Sequence, residues 1–242
     1  MTESLNATDS DVPRVAPDHV HEAAPALGWY SDHVLFHQIW NRPGLSRRDR
    51  SIVTVAALIT GYQMAQLTGH LNRALDHGVT HIEIVEIVTH LAFYAGWPCA
   101  MSAIKVVREV LEARGIDPAK SGQSTAHYMP PHDQQVTEEV AFPAMGAFSM
   151  ALAECTDRVI QDDLWQRREL SPRDRSLVTL SSVIAEGTHD SLLTQARFGL
   201  TNGLLIEEMS EAVIHLSFYV GQPKARNAAR ILDPIAPKKG SS

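Results

Sequence analysis

Three side chains that could transfer protons recur at four-residue intervals in this 242-residue chain. Glu86, His90 and Tyr94 stand at positions i, i+4 and i+8, so they share one face of a helix. A carboxylate beside a histidine fixes its tautomer and raises its pKa, which suits acid–base catalysis. The same set returns later in the chain as Glu211, His215 and Tyr219. Because both sets are present, a structural ladder that joins helices is an open alternative.

A further histidine, His70, occurs in the first half of the chain without a counterpart in the second. The matching residue, 125 positions later, is Gln195. A histidine tuned near neutral pH can donate or shuttle a proton, so His70 is the strongest candidate for a catalytic group. The alternative is a helical histidine that makes a capping or packing hydrogen bond. His189, about two turns before Gln195, is a second-half candidate.

Candidate binding residues accompany these histidines. Arg50 is a candidate anchor for a substrate carboxylate, since a guanidinium grips a carboxylate bidentately. An Arg–Asp network that locks the helix start is the alternative for the arginines around Asp49 and Asp174. Phe93, Tyr94 and Trp97 are candidates for lining a pocket against a planar ligand. Packing is the alternative for Tyr94, through a hydrogen-bonded hydroxyl, and for Trp97, at a helix junction.

The elements that must position these residues are duplicated. LSRRDRSIVT at Leu45–Thr54 returns as LSPRDRSLVT at Leu170–Thr179, and Glu83–Pro98 returns as Glu208–Pro223. Both matches have the same shift of 125 residues. About sixty residues align without a gap and roughly a third are identical, which indicates two copies of one folding unit. Trp40 and Trp165 correspond under this shift and are predicted core residues.

The pattern predicts an all-α fold, since almost nothing alternates at period two. Ser46, Ser171 and Thr80 are predicted N-caps, with Glu83 completing a capping box after Thr80 and Pro172 in a first helical turn. Predicted helices cover about 29–41, 46–61, 66–77, 80–95 and 100–113, with one at about 138–167 before the second copy. The predicted organisation is a flexible arm at 1–24, units at 25–114 and 137–235, a linker at 115–136 and a flexible tail at 236–242.

Composition excludes several classes of function. A net charge of −7 and a pI of about 5.9 leave no basic footprint for nucleic acid. No apolar run approaches the roughly 18–20 residues of a membrane span and no signal peptide opens the chain, so a cytoplasmic location is expected. Cys99 and Cys155 form no CxxC pair and are expected to be inert thiols, and no metal-ligand pattern is present.

The ordered motifs RDRSxVT, HLNRALDHGVT and EIVEIVTHLAFYAGWP resemble the carboxymuconolactone decarboxylase family, in the fold group of the AhpD-type alkylhydroperoxidases. The resemblance covers about 40–112 and 165–233. It implies helical units that assemble into rings of six, so a tandem chain would form a pseudo-hexameric trimer. Peroxidase chemistry is disfavoured because Gln63–Gln66 and Thr188–Ser191 replace the required CxxC, and Ser51 and Ser176 replace a relay glutamate.

The resemblance implies a lyase that needs no metal or organic cofactor and acts on a small lactone or carboxylated unsaturated acid. His70 matches the family's active-site histidine and would be the general acid. Arg50 would anchor the carboxylate, and His90 with Glu86 would support it. One site per chain is expected, built mainly by the first copy, with His189 and His215 as second-copy candidates. Two alternatives remain: an isomerase, dehydratase or cyclase of secondary metabolism, and a non-catalytic ligand-binding scaffold.

Overall fold

Helices account for the regular structure in the computed structural model, which describes residues 12–120, 148–188 and 190–237. Within these ranges there is no strand, so the predicted all-α class is confirmed there. The α-helices are α1 (Asp18–Ala23), α2 (Pro25–Trp29), α3 (Arg47–Thr60), α4 (Met64–Asp76), α5 (His81–Tyr94), α6 (Trp97–Ala113), α7 (Met150–Cys155), α8 (Pro172–Glu186), α9 (Leu192–Thr201), α10 (Ile206–Leu216) and α11 (Gln222–Leu232).

The predicted caps set the starts of the central helices. Ser46 accepts a hydrogen bond from the backbone N–H of Asp49, and Ser171 does the same before α8. Thr80 and Glu83 form the full capping box, with the Thr80 N–H donating to Glu83 at 2.7 Å. These bonds satisfy backbone donors that have no partner inside the helix. The predicted N-termini of α3, α5 and α8 are therefore confirmed.

A glycine separates α5 from α6, and another separates α10 from α11. Gly96 has φ = +92° and Gly221 has φ = +88°, values that favour a residue without a Cβ atom. Helix α6 begins at Trp97, three residues before the predicted start at 100. The reason is that Pro98 fits the first helical turn, where a missing N–H costs nothing.

The beginning of each copy is less regular than predicted. In place of one helix at 29–41, α2 continues into a π-helical segment at Tyr30–Phe36 and a 3₁₀ turn at Ile39–Asn41. The second copy repeats this order after α7, with a π-helical segment at Thr156–Gln161 and a 3₁₀ turn at Leu164–Gln166. The predicted helix at 138–167 is thus broken where it is described, and its first part, up to 147, lies outside the described residues.

Part of the predicted flexible arm is helical and attached to the first copy. Helix α1 lies within it, and residues 1–11 are outside the described range. The buried Asp32 carboxylate accepts the backbone N–H groups of Val15 and Ala16 at 2.8 and 2.7 Å, and it pairs with His21 at 3.0 Å. The predicted linker is also structured at its start, by a 3₁₀ turn at Pro118–Lys120.

The two copies are packed into each other rather than side by side. Helices α3 and α8 lie in contact at the centre, α5 of the first copy packs on α8, and α10 of the second copy packs on α3. Every residue of α3 from Asp49 to Ile59 is buried, so its apolar residues face the core on all sides of the helix and its polar ones need partners within the protein. The apolar faces of the two copies therefore form one common core.

Charged residues at the starts of α3 and α8 complete this contact. Arg48 pairs with Asp174, and Arg173 pairs with Asp49 at 2.9 Å. Each arginine also binds the capping glutamate of its own copy, Glu83 or Glu208. The Arg–Asp network considered from the sequence is therefore present, and it joins the two copies. Within the described ranges, none of the helices has the length and apolar character needed to cross a bilayer.

Candidate active site

Two related clusters of polar and aromatic side chains lie between the copies, and each takes residues from both. We call the first cluster the set Trp40, Arg42, Arg50, Thr54, His70, Arg73, Glu211, His215 and Tyr219. We call the second cluster the corresponding set Trp165, Arg167, Arg175, Thr179, Gln195, Phe198, Glu86, His90 and Tyr94. In each cluster the Glu–His–Tyr face of one copy meets the arginines and tryptophan of the other.

The second cluster contains a closed ladder of buried hydrogen bonds. Glu86 accepts two bonds from Arg167, at 2.9 and 3.0 Å, and one from Arg175 at 2.6 Å. The Thr179 hydroxyl donates to the Arg175 carbonyl, so its oxygen accepts the Nε2–H of His90 at 2.7 Å. Nδ1 of His90 then accepts from Arg175. Burial, aided by the charge of Arg175, holds the pKa of His90 well below its usual value. His90 is therefore neutral, and both of its ring nitrogens are hydrogen-bonded within the cluster.

The first cluster repeats most of this ladder with the roles of the copies exchanged, except that Nδ1 of His215 is buried without a hydrogen-bond partner among the described residues. Glu211 binds Arg42 at 2.7 and 3.0 Å and Arg50 at 2.9 Å. His215 donates to Thr54 at 2.8 Å, because the Thr54 hydroxyl proton goes to the Arg50 carbonyl. Burial and the charge of Arg50 lower the pKa of His215 well below its usual value. His215 is thus neutral, like its counterpart.

This geometry does not support Arg50 as the substrate anchor. Its side chain is fully buried, and Nη2 is shared between the Glu211 carboxylate and the Arg42 carbonyl. A substrate carboxylate would have to compete with Glu211 for a cation that solvent does not reach. The expected grouping of His70 with Glu86 and His90 is also not formed, because those two residues belong to the second cluster.

A tryptophan and a tyrosine bridge each cluster. Trp40 Nε1 donates to the Tyr219 hydroxyl at 3.0 Å, and Trp165 Nε1 donates to that of Tyr94 at 2.9 Å. Burial raises the pKa of Tyr219 to about 12 and raises that of Tyr94 as well. Both phenols therefore keep their protons at neutral pH. The packing role considered for Tyr94 agrees with this bond.

The clusters differ most at His70. Its ring lies 5.3 Å from that of Tyr219, edge to face, and 6.2 Å from that of Trp40. The Nδ1 atom is buried and has no hydrogen-bond partner among the described residues. Burial, together with the nearby charge of Arg73, lowers the pKa of His70 to about 4. His70 is thus a neutral imidazole with one nitrogen available for a ligand.

One helical turn after His70, Arg73 takes the place that Phe198 has in the second copy. Phe198 packs edge-on against Trp165 at 4.8 Å, and both side chains are buried. Arg73 instead lies over the rings of Phe36 and Trp40, at 4.5 and 5.3 Å. The position that holds a buried aromatic ring in the second cluster therefore holds a cation in the first.

Other predicted site residues lie elsewhere. Phe93 and Trp97 contact each other edge to face at 5.3 Å, and Trp97 is 57% exposed. His189 lies outside the described residues. Cys99 and Cys155 are both free thiols. In the part of the chain that is described, His, Cys, Asp and Glu side chains do not gather in threes as a metal ion would require.

Two features of the site were missed from the sequence. One is that each Glu–His–Tyr face serves the opposite copy's arginines. The other is Arg73, although the 125-residue shift already paired Arg73 with Phe198, a mismatch as informative as that of His70 with Gln195.

Comparison with known proteins agrees with the all-helical, tandem architecture. The sequence model that describes the carboxymuconolactone decarboxylase family matches residues 25–109 and 151–234 of this chain. The chain therefore belongs to this family. It is 39% identical over 83 residues to the 4-carboxymuconolactone decarboxylase of Acinetobacter baylyi, covering 34% of this chain and 62% of that protein. It is 37% identical over 73 residues to the nitrosuccinic acid decarboxylase npaB of Metarhizium robertsii, covering 30% and 51%. Each match spans less than two thirds of the relative.

Proposed function

We propose that this protein is a decarboxylase for a small carboxylated lactone or a related activated acid, and that His70 in the first cluster supplies the proton. The observation that carries this proposal is the buried, unpartnered Nδ1 of His70 beside Tyr219 and Trp40. The corresponding position in the second cluster is Gln195, which has no acid–base function.

Membership of the family supports the type of reaction, and the two relatives support the type of substrate. Both are named for the loss of CO₂ from an acid, one a lactone and one a nitro compound. In both compounds an electron-accepting group takes up the electron pair of the broken bond. Such a substrate provides its own electron sink, so we propose that the reaction needs no metal or organic cofactor.

The proposed step converts a substrate carboxylate and one proton into CO₂ and a new C–H bond. The C–CO₂⁻ bond breaks, its electron pair moves into the lactone carbonyl or nitro group, and His70 then delivers a proton to carbon. Tyr219 keeps its own proton because its pKa is raised to about 12, so it can donate a hydrogen bond to the oxygen where charge develops.

Substrate binding would prepare His70 for this role. In the free protein the imidazole is neutral because burial and the charge of Arg73 lower its pKa to about 4. An anion bound beside Arg73 offsets that charge and favours the imidazolium form. His70 would therefore take up a proton as the substrate binds and release it to carbon during the reaction.

We also propose that the protein acts in the cytoplasm as a homo-oligomer, with three chains forming a pseudo-hexameric ring. Trp97 and Met101 support an assembly, because both are more than half exposed on one side of α6.

The test uses the residue of the other copy as the replacement. His70→Gln should reduce CO₂ release from 4-carboxymuconolactone or nitrosuccinate by about a hundredfold or more, the typical contribution of a general acid. The melting temperature should change little, since glutamine already occupies this position in the second copy. Gln195→His is the matched control and should leave turnover unchanged. Undiminished CO₂ release by His70→Gln, or no release from either compound by the unmodified protein, would contradict the proposal.

A further inference from the structure

Arg73 is a cation whose charge no described residue compensates. Its guanidinium makes no ion pair and no hydrogen bond to any of them, whereas Arg42 and Arg50 are bound to Glu211. Arg73 is also only partly buried, so solvent and small ligands can reach it. An uncompensated guanidinium at the edge of a buried cluster attracts an anion.

The aromatic rings beneath Arg73 position it without using its hydrogen-bond donors. Its central carbon lies 4.5 Å from the centre of the Phe36 ring and 5.3 Å from that of Trp40. A guanidinium held over a ring keeps the N–H donors of its fork available, and this fork matches a carboxylate. Arg73 is therefore restrained in place and still able to bind.

The ligand position that Arg73 defines also lies beside His70. The two residues are three positions apart on α4, so they share a face of that helix. Both also lie against the same ring, because the centre of the Trp40 ring is 6.2 Å from that of the His70 ring and 5.3 Å from the central carbon of the Arg73 guanidinium. A small acid bound to Arg73 would therefore lie beside the proposed proton donor.

We propose that Arg73, and not Arg50, is the carboxylate anchor of the first cluster, holding a small dicarboxylate by the group that the reaction retains. This assignment rests on the proposed function, because an anchor has a role only if the first cluster binds a substrate. Its test measures binding and does not depend on turnover. The second cluster has the apolar Phe198 at this position, so it should bind no such anion.

The experiment is isothermal titration of the full-length protein with nitrosuccinate, its neutral dimethyl ester and inorganic phosphate, with every protein carrying His70→Gln so that no CO₂ release adds heat. Arg73→Phe gives the first copy the residue of the second, and Arg226→Phe removes one exposed arginine elsewhere as the matched control. We expect nitrosuccinate to bind Arg73→Phe about ten- to a hundredfold more weakly than the protein that retains Arg73, the loss of a charge-assisted pair. Arg73→Lys should lie between them, and Arg226→Phe should bind normally.

The dimethyl ester and phosphate both lack the free carboxylates of the substrate. They test whether disturbed packing or a general anion site explains the result instead. The diester should bind weakly and equally to all variants. A parallel loss of diester binding in Arg73→Phe would indicate disturbed packing and overturn the assignment. Phosphate binding as tight as that of nitrosuccinate would indicate a general anion site and overturn it too, as would a protein that retains Arg73 but does not prefer nitrosuccinate to its ester.

His70→Gln separates this inference from the proposed function. It should retain nitrosuccinate binding while losing CO₂ release. If binding depends on Arg73 but the protein that retains His70 releases no CO₂ either, the proposed function is contradicted and the anchor assignment stands.

Discussion

The first and second clusters have similar ladders and different surroundings. In both, a glutamate holds two arginines of the opposite copy and a buried, neutral histidine donates to a threonine, but only in the second cluster does the histidine also accept a bond from an arginine. Around this ladder the second cluster has Gln195 and Phe198, and the first has His70 and Arg73. The residues retained in both copies therefore hold the copies together, and the residues that differ are the ones to which we assign proton transfer and substrate binding.

The two ladders also differ in their contact with solvent. The Glu86 side chain is 2% exposed and that of Glu211 is 11% exposed, while their outer partners Arg167 and Arg42 are 22% and 41% exposed. Charges nearer to water are better solvated when a partner is lost. The second cluster is thus less accessible to solvent, and its charged groups are stabilised by one another more than by water.

The largest expected effect comes from breaking that closed ladder. Glu86→Ala leaves Arg175, which is fully buried, without a carboxylate, and should lower the free energy of unfolding by about 3–5 kcal/mol. Glu211→Ala also leaves a fully buried arginine, Arg50, without its carboxylate, but it should cost less, about 1–3 kcal/mol, because the Glu211 position lies nearer to solvent and Arg42 can turn to it. Urea unfolding followed by circular dichroism measures both. Equal losses, or a larger loss for Glu211→Ala, would remove the distinction between the clusters.

Much of the fold was predictable because its signals are local. Ser46, Thr80 and Ser171 cap helices through residues three positions away, so their roles are visible in any short window of sequence. The irregular starts of the copies were not predictable, since the π-helical segment at Tyr30–Phe36 has an ordinary helical composition. The anchored arm depends on Asp32, a contact across 16 and 17 residues that no local pattern records.

The site was predictable in its residue types and not in its pairings. The spacing of Glu86, His90 and Tyr94 correctly placed them on one helix face. Their partner Arg175 is 85 or more residues away, and the repeat offered Arg50 as an equally good choice. Only the packing of α5 on α8 decides between the two arginines.

A smaller effect is expected from the threonines, where the clusters should behave alike. Thr179→Val and Thr54→Val each remove the acceptor of a buried imidazole N–H and keep the side-chain shape. Each should cost about 1–3 kcal/mol, the penalty of an unsatisfied buried donor. Thermal unfolding measures the losses, and the exposed Thr201→Val is the control, with a change within about 0.5 kcal/mol. A loss in only one cluster would show that the histidine of the other cluster does not donate to its threonine.

The smallest effect is expected at a third pair of corresponding residues, Asp32 and Asp157. Asp32 is buried and holds Val15 and Ala16, whereas Asp157 is exposed and accepts one bond from Gln161 at 2.8 Å. Burial opposes ionisation of Asp32, but the backbone donors and His21 outweigh it and lower its pKa below the ordinary 3.8.

The pKa of Asp32 is lower in the folded protein than the ordinary 3.8. The stability that its ionised carboxylate adds is therefore complete above pH 3.8, and it is lost as the pH falls through the lower pKa of the folded state. Amide hydrogen exchange, corrected for intrinsic rates, should show protection of Val15 and Ala16 decreasing over this range, while global unfolding is unchanged. Asp32→Asn should reduce their protection at neutral pH by about 1 kcal/mol, the charge-assisted part of the bonds, and Asp157→Asn should not affect it. Protection that is constant with pH, or equal in the two variants, would show that the N-terminal segment is held by packing of α1 instead of by the Asp32 carboxylate.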